Sequence, residues 1–162
     1  MRTALALLLL ALCGPAAAQT ADELLNDGRN PENVTTFGMG YSLNMYSPLK
    51  QINKSNVKRL VPAWSFSLMN DVGEHSQPTV YNGVMYVVNG NWTFAIDVAT
   101  GRQIWRTPVD WVPETPRIVC CGVSNKGAAI YNGRIYRTTL DAHVIALDAK
   151  TGAEVWRSKA AE

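Results

Sequence analysis

The second half of the chain is built from short apolar stretches separated by turn residues. Four of them are rich in aromatic and β-branched residues, and the first three are closed by Asn or Asp: Pro78–Tyr81, Val84–Val88, Thr93–Ile96 and Gln103–Trp105. Stretches of this length and composition are typical of β-strands. The pattern therefore predicts an all-β fold for this part of the chain.

Upstream of these strands the chain is more polar and its patterns are weaker. Asp22–Asn26 predicts a short helix or a loose arm. Ser55–Leu60 predicts one capped helical turn, which Pro62 stops. We expect residues 19–62 to form an N-terminal arm that also carries the first strands.

An internal repeat is the most informative feature of the sequence. YNGVMY at 81–86 returns as YNGRIY at 131–136, and AIDVATGRQIW at 95–105 returns as ALDAKTGAEVW at 146–156. The period is about 50 residues, in the range of four-stranded propeller blades. We expect β-propeller blades over residues 63–162, with two tryptophan-docking repeats at about 79–106 and 129–157.

Each matched position has a physical role in such a blade. Asn82-Gly83 predicts a tight hairpin, because both residues tolerate positive φ. Asp97 can accept bonds from backbone N–H groups, and Gly101 supplies the left-handed conformation that turns the chain back. Trp105 is expected to end the outer strand and to pack between blades. The second repeat carries the same residue types at Asn132, Gly133, Asp148, Gly152 and Trp156.

Two blades cannot close a propeller, which typically needs at least four. Alone they would leave open sheet faces and exposed indole rings, a hazard for aggregation. We therefore expect the protein to continue past Glu162, so that this chain is an incomplete portion of a propeller.

Residues 1–18 are typical of a secretory signal peptide. Arg2 precedes an apolar run, Leu5–Leu12, that is too short to span a bilayer, and Ala16–Ala18 supplies the small residues of a cleavage site before Gln19. A retained anchor helix is the alternative. We expect a periplasmic mature protein that is not an integral membrane protein.

Composition excludes some partners. The chain has 15 basic and 13 acidic side chains and a formal charge of +2. This balance gives no electrostatic footprint for nucleic acid or for an anionic membrane. A hydrophobic share of 47% with five Trp indicates a folded core or interface.

The adjacent cysteines Cys120 and Cys121 are the strongest local oddity. Cys13 leaves with the signal peptide, and an exported pair of thiols is expected to be oxidised. Adjacent α-carbons lie about 3.8 Å apart, below the usual disulfide range, so a bond between them strains the peptide unit. Strained units are more frequent at functional sites. Two separate thiols or an intermolecular bridge stay possible on this reasoning.

The cysteine segment also carries a specific resemblance. Cys-Cys-Gly is followed by NKGAAIY at 125–131, and the whole segment lies between the two Asp-x-x-Thr-Gly-x-x-x-Trp units. With the segments at 46–53, 56–57, 62–64 and 83–87, this resembles the quinoprotein alcohol dehydrogenases, the methanol and ethanol dehydrogenase family that uses pyrroloquinoline quinone (PQQ). The similarity covers nearly all of the mature chain.

The resemblance implies an eight-bladed propeller with PQQ on its axis. It also implies that a Cys120–Cys121 disulfide packs flat against one face of the quinone. Lys126 stands where the family usually has an Arg that bonds the quinone oxygens. Lysine keeps the positive charge but lacks the planar two-pronged donor of arginine.

A second departure from the family lies just before the first strand. The family's quinone-contacting Glu aligns with His75, and Glu74 precedes it. Either side chain could make the contact, and an ordinary polar role for His75 is the alternative. A zinc site from His75 and His143 is weakly supported, because two His without an acidic or thiolate partner form no recognisable site.

The remaining machinery implied by the family lies in later blades. It comprises the catalytic base and the ligands of Ca²⁺ or a lanthanide, so we expect the 162-residue chain alone to be inactive. The implied reaction oxidises a small alcohol and passes electrons to a periplasmic cytochrome c. The rival hypothesis is a non-enzymatic periplasmic propeller scaffold that binds other proteins. A scaffold has no need of adjacent cysteines.

Overall fold

Two four-stranded antiparallel sheets form the body of the molecule. The structure is a computed structural model that describes residues 19–69, 75–120 and 122–161. In each sheet, strands adjacent in sequence are adjacent in space, so each sheet is a simple meander. The first sheet contains β1 (Thr79–Tyr81), β2 (Val84–Val88), β3 (Trp92–Asp97) and β4 (Gln103–Pro108). The second contains β5 (Ala129–Tyr131), β6 (Arg134–Thr138), β7 (His143–Asp148) and β8 (Glu154–Lys159).

The helices are short and lie outside the sheets. The helix α1 (Ala21–Leu25) begins with a capping box, in which Thr20 and Glu23 satisfy each other's backbone N–H groups. In the part of the chain that the structure describes, 3-10 turns occupy Asp27–Arg29, Val57–Arg59 and Thr115–Arg117. In the described part of the chain, no helix has the length and apolar character that a membrane crossing requires.

The arm differs from expectation in one respect. Its predicted first strands are replaced, within residues 19–62, by one isolated bridge between Val34 and Val80. Positive φ angles at Gly38, Met39 and Gly40 interrupt the extended backbone that a strand requires. The arm therefore consists mostly of turns and irregular loop.

The repeated turn motifs adopt the predicted conformations. Asn82 and Gly83 have φ angles of 48° and 75°, which are the positive values of a type I′ hairpin. Asp97 accepts hydrogen bonds from the hydroxyl of Thr100 at 2.7 Å and from its backbone N–H at 2.8 Å. These bonds hold the pKa of Asp97 below its usual value. The second repeat has the same turns at Asn132-Gly133 and Asp148–Gly152.

Tryptophan docking fixes one sheet against the next. The indole N–H of Trp105 donates to the carbonyl of Ala149 at 3.0 Å, and its ring covers Gly152. A Cβ atom at Gly152 would lie 2.6 Å from that ring, so only glycine fits. Trp105 lies inside β4, which continues to Pro108, and not at its end as the sequence suggested. The strand β4 continues past Trp105 because Arg106, Thr107 and Pro108 also pair with β3.

Trp64 makes an equivalent contact with the first sheet. Its indole N–H donates to the carbonyl of Val98 at 2.9 Å, and a Cβ atom at Gly101 would lie 2.5 Å from its ring. Trp156, the third tryptophan of the series, is 37% exposed, whereas Trp105 is 8% exposed. Among the described residues, two docking turns are thus filled, and the Trp156 ring lies on neither of them.

The core lies between the two sheets. One cluster joins side chains of the first sheet to those of the second, and its fully buried members include Ile130, Ile135, Ile145 and Leu147. A smaller cluster on the other face of the first sheet contains Phe94 and is covered in part by the segment that follows Trp64. Apolar burial on both faces of the first sheet explains why its central strands form nearly continuous apolar stretches in the sequence.

The docking contact predicts unequal costs for two glycine substitutions. Gly83→Ala should lower the free energy of unfolding by about 1–2 kcal/mol, because only its positive φ opposes a side chain. Gly152→Ala should cost a further ~1–3 kcal/mol, because the new methyl group must displace the Trp105 ring. Urea unfolding of both variants measures the difference. Equal losses would contradict the docking role of Gly152.

Candidate functional site

The strand directions place the candidate residues at one end of both sheets. Residues 75–78 lead into β1 and residues 109–128 lead into β5, and the turn 89–91 joins β2 to β3 beside them. We call this the loop end. The hairpins and the Asp-x-x-Thr-Gly turns lie at the opposite end, so the structural motifs and the candidate chemistry are separated.

Two of the predicted site residues lie on segments that contact each other. A parallel bridge joins Gln77 to Gly127, and these residues are close neighbours of His75 and Lys126 in sequence. Both His75 and Lys126 are exposed. The structure therefore brings together the two segments on which the sequence placed quinone contacts.

Of the cysteine pair and Glu74, only Cys120 belongs to the described residues. Cys120 is exposed at the loop end. Glu74 and Cys121 lie outside the described residues, so the Cys120–Cys121 disulfide and the Glu74 contact stay predictions. Among the residues described, no group of three or more potential metal ligands occurs.

Lys126 lines a cleft of about 310 Å³ whose other walls are well fixed. The Gln77 side chain accepts a bond from the Gly38 N–H at 3.0 Å and donates to the Thr36 carbonyl at 3.3 Å. The Thr79 hydroxyl donates to the Ala128 carbonyl at 3.1 Å. The walls of the cleft are thus held by the arm on one side and by the neighbouring sheet on the other.

Asn125 fixes the backbone on which Lys126 stands. Its amide donates to the Thr138 carbonyl at 2.9 Å, and its carbonyl oxygen accepts from the Gly127 N–H at 2.9 Å. No carboxylate of the described residues forms an ion pair with the Lys126 ammonium group. The cation is therefore free to meet an anionic ligand in the cleft.

The cysteine loop, described at residues 109–120 and 122–128, is anchored on the turn between β2 and β3. The Trp111 indole N–H donates to the Gly90 carbonyl at 3.1 Å. A Cβ atom at Gly90 would overlap the Val123 side chain and lie 2.9 Å from its carbonyl carbon. The lack of a side chain at Gly90 thus leaves room for Val123, which follows the cysteine pair by two positions. Sequence reasoning missed Gly90 and Trp111, because no local pattern shows what they touch.

The cleft suits the quinone that the resemblance implies. PQQ is flat and polyanionic, and an exposed ammonium group with three donors suits its oxygens. Gly127, with φ of 138°, places no side chain between Lys126 and Gln77. The residues present therefore fit part of a PQQ site. The described residues supply no metal-ligand cluster for the accompanying cation.

Comparison with known proteins agrees with this geometry. Residues 35–157 match the sequence model of the PQQ glucose/ethanol/alcohol dehydrogenase β-propeller domain. The chain is 43% identical over 159 residues to the 1-butanol dehydrogenase (quinone) of Thauera butanivorans, covering 92% of the chain and 25% of that protein. The match runs across both sheets and the cysteine loop.

Solved structures give the same result. A quinohemoprotein alcohol dehydrogenase from Comamonas testosteroni superposes with a TM-score of 0.82 at 37% identity, covering 87% of this chain and 21% of that one. A europium-containing methanol dehydrogenase gives 0.80 at 36%, covering 87% and 25%. The propeller prediction is confirmed. The chain spans about a quarter of the length of the relatives it matches.

The anchoring of the cysteine loop can be tested at Gly90. We expect Gly90→Ala to push Val123 away and to raise the hydrogen exchange of peptides from 109–128. In a Val123→Ala background the same change should have a smaller effect, because the nearest overlapping atom, Cγ1 of Val123, is gone. An equal effect in both backgrounds would show that Gly90 acts through some other contact.

Proposed function

Because the chain belongs to the PQQ-dependent alcohol dehydrogenase β-propeller family, we propose that it supplies two blades of an enzyme that oxidises an alcohol with PQQ. The observation that carries this proposal is the joining of the His75 and Lys126 segments at one cleft. The alcohol is a small one by analogy with the named relatives. The whole reaction needs parts of the propeller that lie outside this chain.

Lys126 has the clearest role within the proposed site. Its ammonium group would donate to the quinone oxygens and stabilise negative charge that develops there. Lysine presents a single ammonium group on a flexible stem, whereas arginine would present a rigid, planar guanidinium that can bond two oxygens at once. The bound quinone supplies the two-electron oxidation chemistry. The chain's contribution is orientation and electrostatics.

Two further contacts complete the chain's share of the site. Either His75 or Glu74 bonds the quinone from the segment that precedes β1. A disulfide between Cys120 and Cys121 presents a flat, water-excluding surface to one quinone face. The support is that Cys120 and His75 lie at the same end of the sheets as Lys126.

The remaining parts of the proposal come from the family alone. A catalytic base and a Ca²⁺ or lanthanide ion would be held by later blades, and one structural neighbour is named for europium. Electrons would pass to a periplasmic cytochrome c. Export through the predicted signal peptide would place the enzyme in that compartment.

The proposed role of Lys126 sets a first experiment in the complete enzyme. Wild type reconstituted with PQQ and Ca²⁺ or a lanthanide should retain quinone absorbance after desalting and should oxidise alcohols in a dye-linked assay. Lys126→Met should weaken PQQ binding about 10- to 100-fold, the usual worth of a charged hydrogen bond. Lys126→Arg should retain most of the affinity. Absorbance titration measures both.

A matched control separates a local from a general charge effect. Lys150 is also exposed but lies in a turn at the opposite end of the second sheet. Lys150→Met should leave PQQ affinity unchanged. If wild type retains no quinone, the scaffold hypothesis gains over the enzyme.

Export gives a separate prediction. The protein should be recovered from the periplasmic fraction with Gln19 as its first residue. The structure is compatible with this start, because Gln19 is buried and accepts bonds from the N–H groups of Asn132 and Gly133 at 3.1 and 2.8 Å. Mass spectrometry of the N-terminal peptide measures the start. A peptide that retains residues before Gln19 would contradict the proposed cleavage.

A further inference from the structure

Arg137 is a buried cation that the proposed chemistry does not use. It lies on β6, is 2% exposed, and reaches from the second sheet into the first. Its guanidinium donates to the carbonyls of Trp92 at 2.8 Å and Asn89 at 2.7 Å. It also donates to the Thr93 hydroxyl at 3.1 Å and to the Thr138 carbonyl at 3.3 Å.

These partners are all neutral oxygens. No carboxylate among the described residues pairs with Arg137. Burial accordingly lowers the pKa of its guanidinium to about 10. A buried charge without a counter-charge is costly, and an apolar side chain of similar volume often gives equal stability. Stability alone therefore does not account for an arginine here. Its several coplanar donors hold several oxygen atoms at once, which an apolar side chain cannot do.

What Arg137 holds is the turn between β2 and β3 of the other sheet. Two of its bonds end on Asn89 and Trp92, the residues that flank this turn. Within the turn, the Asn89 side chain accepts from the Trp92 N–H at 2.8 Å. The turn is thus closed by its own asparagine and fixed from outside by the guanidinium.

The same turn contacts the cysteine loop and the stretch 64–69, the described residues that precede His75 in the chain. The Asn89 amide donates to the Leu68 carbonyl at 3.0 Å, on the stretch that leads to His75. Gly90 receives the Trp111 indole N–H and the Val123 side chain from the cysteine loop. A displacement of this turn would therefore move the cysteine loop and the stretch 64–69, which precedes His75 in the chain.

We propose that Arg137 is a positioning residue for the quinone site, which acts by fixing the turn 89–92 and, through it, the cysteine loop and the stretch before His75. The proposal rests on the proposed function, since it concerns the same quinone. The contact of Arg137 between the two sheets thus sets the geometry of the site. Arg137 itself is not expected to touch the quinone.

The donor geometry predicts different results for two substitutions. Arg137→Met keeps an apolar stem but leaves the carbonyls of Asn89 and Trp92 without this donor. Arg137→Lys keeps the charge, but one ammonium group cannot occupy all four sites that the guanidinium reaches. We expect both variants to weaken PQQ binding, methionine by about tenfold or more and lysine by less.

The experiment uses the complete enzyme and two readouts besides activity. One is the dissociation constant of PQQ, measured by absorbance titration. The other is hydrogen exchange, which should rise in peptides from 64–69 and 109–128 but not in the turns 97–102 and 148–152. Tyr86→Phe is the matched control, because it removes a buried bond to the Ala149 carbonyl at the opposite end. It should lower the Tm without changing PQQ affinity.

A double-mutant cycle tests the path. Since Arg137 and Gly90 act on one turn, the effects of Arg137→Lys and Gly90→Ala on PQQ affinity should not add. Additive effects, or unchanged affinity and exchange in Arg137→Met with a lowered Tm, would overturn the proposal. If Arg137→Met does not fold, the lysine variant decides.

If wild type binds no PQQ, the proposed function fails and the quinone role of Arg137 with it. The exchange data then still report whether Arg137 orders the loop.

Discussion

The docking of a tryptophan ring on the glycine turn of a neighbouring sheet is the contact on which the rest of the structure depends. Each meander pairs its strands locally, but a sheet of this size cannot bury both faces alone. The Trp105–Gly152 contact sets the outer spacing of the two sheets. The bridge between Gln77 and Gly127 then brings their inner edges together. The cleft beside Lys126 lies where these inner edges meet.

Much of the fold could be predicted because its signals are local. The Asn82-Gly83 hairpin and the Asp97 turn depend on residues within a few positions of each other, and the repeat at about 50 residues confirms each by its copy. The docking of Trp64 was missed, because its partner Val98 lies 34 residues away and Trp64 stands outside the repeat. The alternation of Trp64 with Phe66 and Leu68 was the available signal.

The candidate site could be predicted only in part, for the same reason. The Cys-Cys segment and Lys126 were recognised from a motif, which is a contiguous signal. Arg137 was not, since nothing near it in sequence shows that it is buried or that its partners lie on the other sheet, 44 to 48 residues away. Gly90 reads as an ordinary turn residue until Val123 is seen against it. Contacts of this kind are set by packing, which the order of residues does not display.

The docking contact is also asymmetric, and this limits how copies of the chain can associate. A ring on one sheet meets a turn on the next, so the interface is heterologous, and such contacts either close into rings or grow into fibres. Trp156 presents an undocked ring, but Trp64 and Trp105 already occupy the turns at Gly101 and Gly152. Within the described residues a second copy offers no vacant turn of this type. At either of the two turns described, head-to-tail pairing of copies would require the release of the Trp64 or Trp105 ring that fills it.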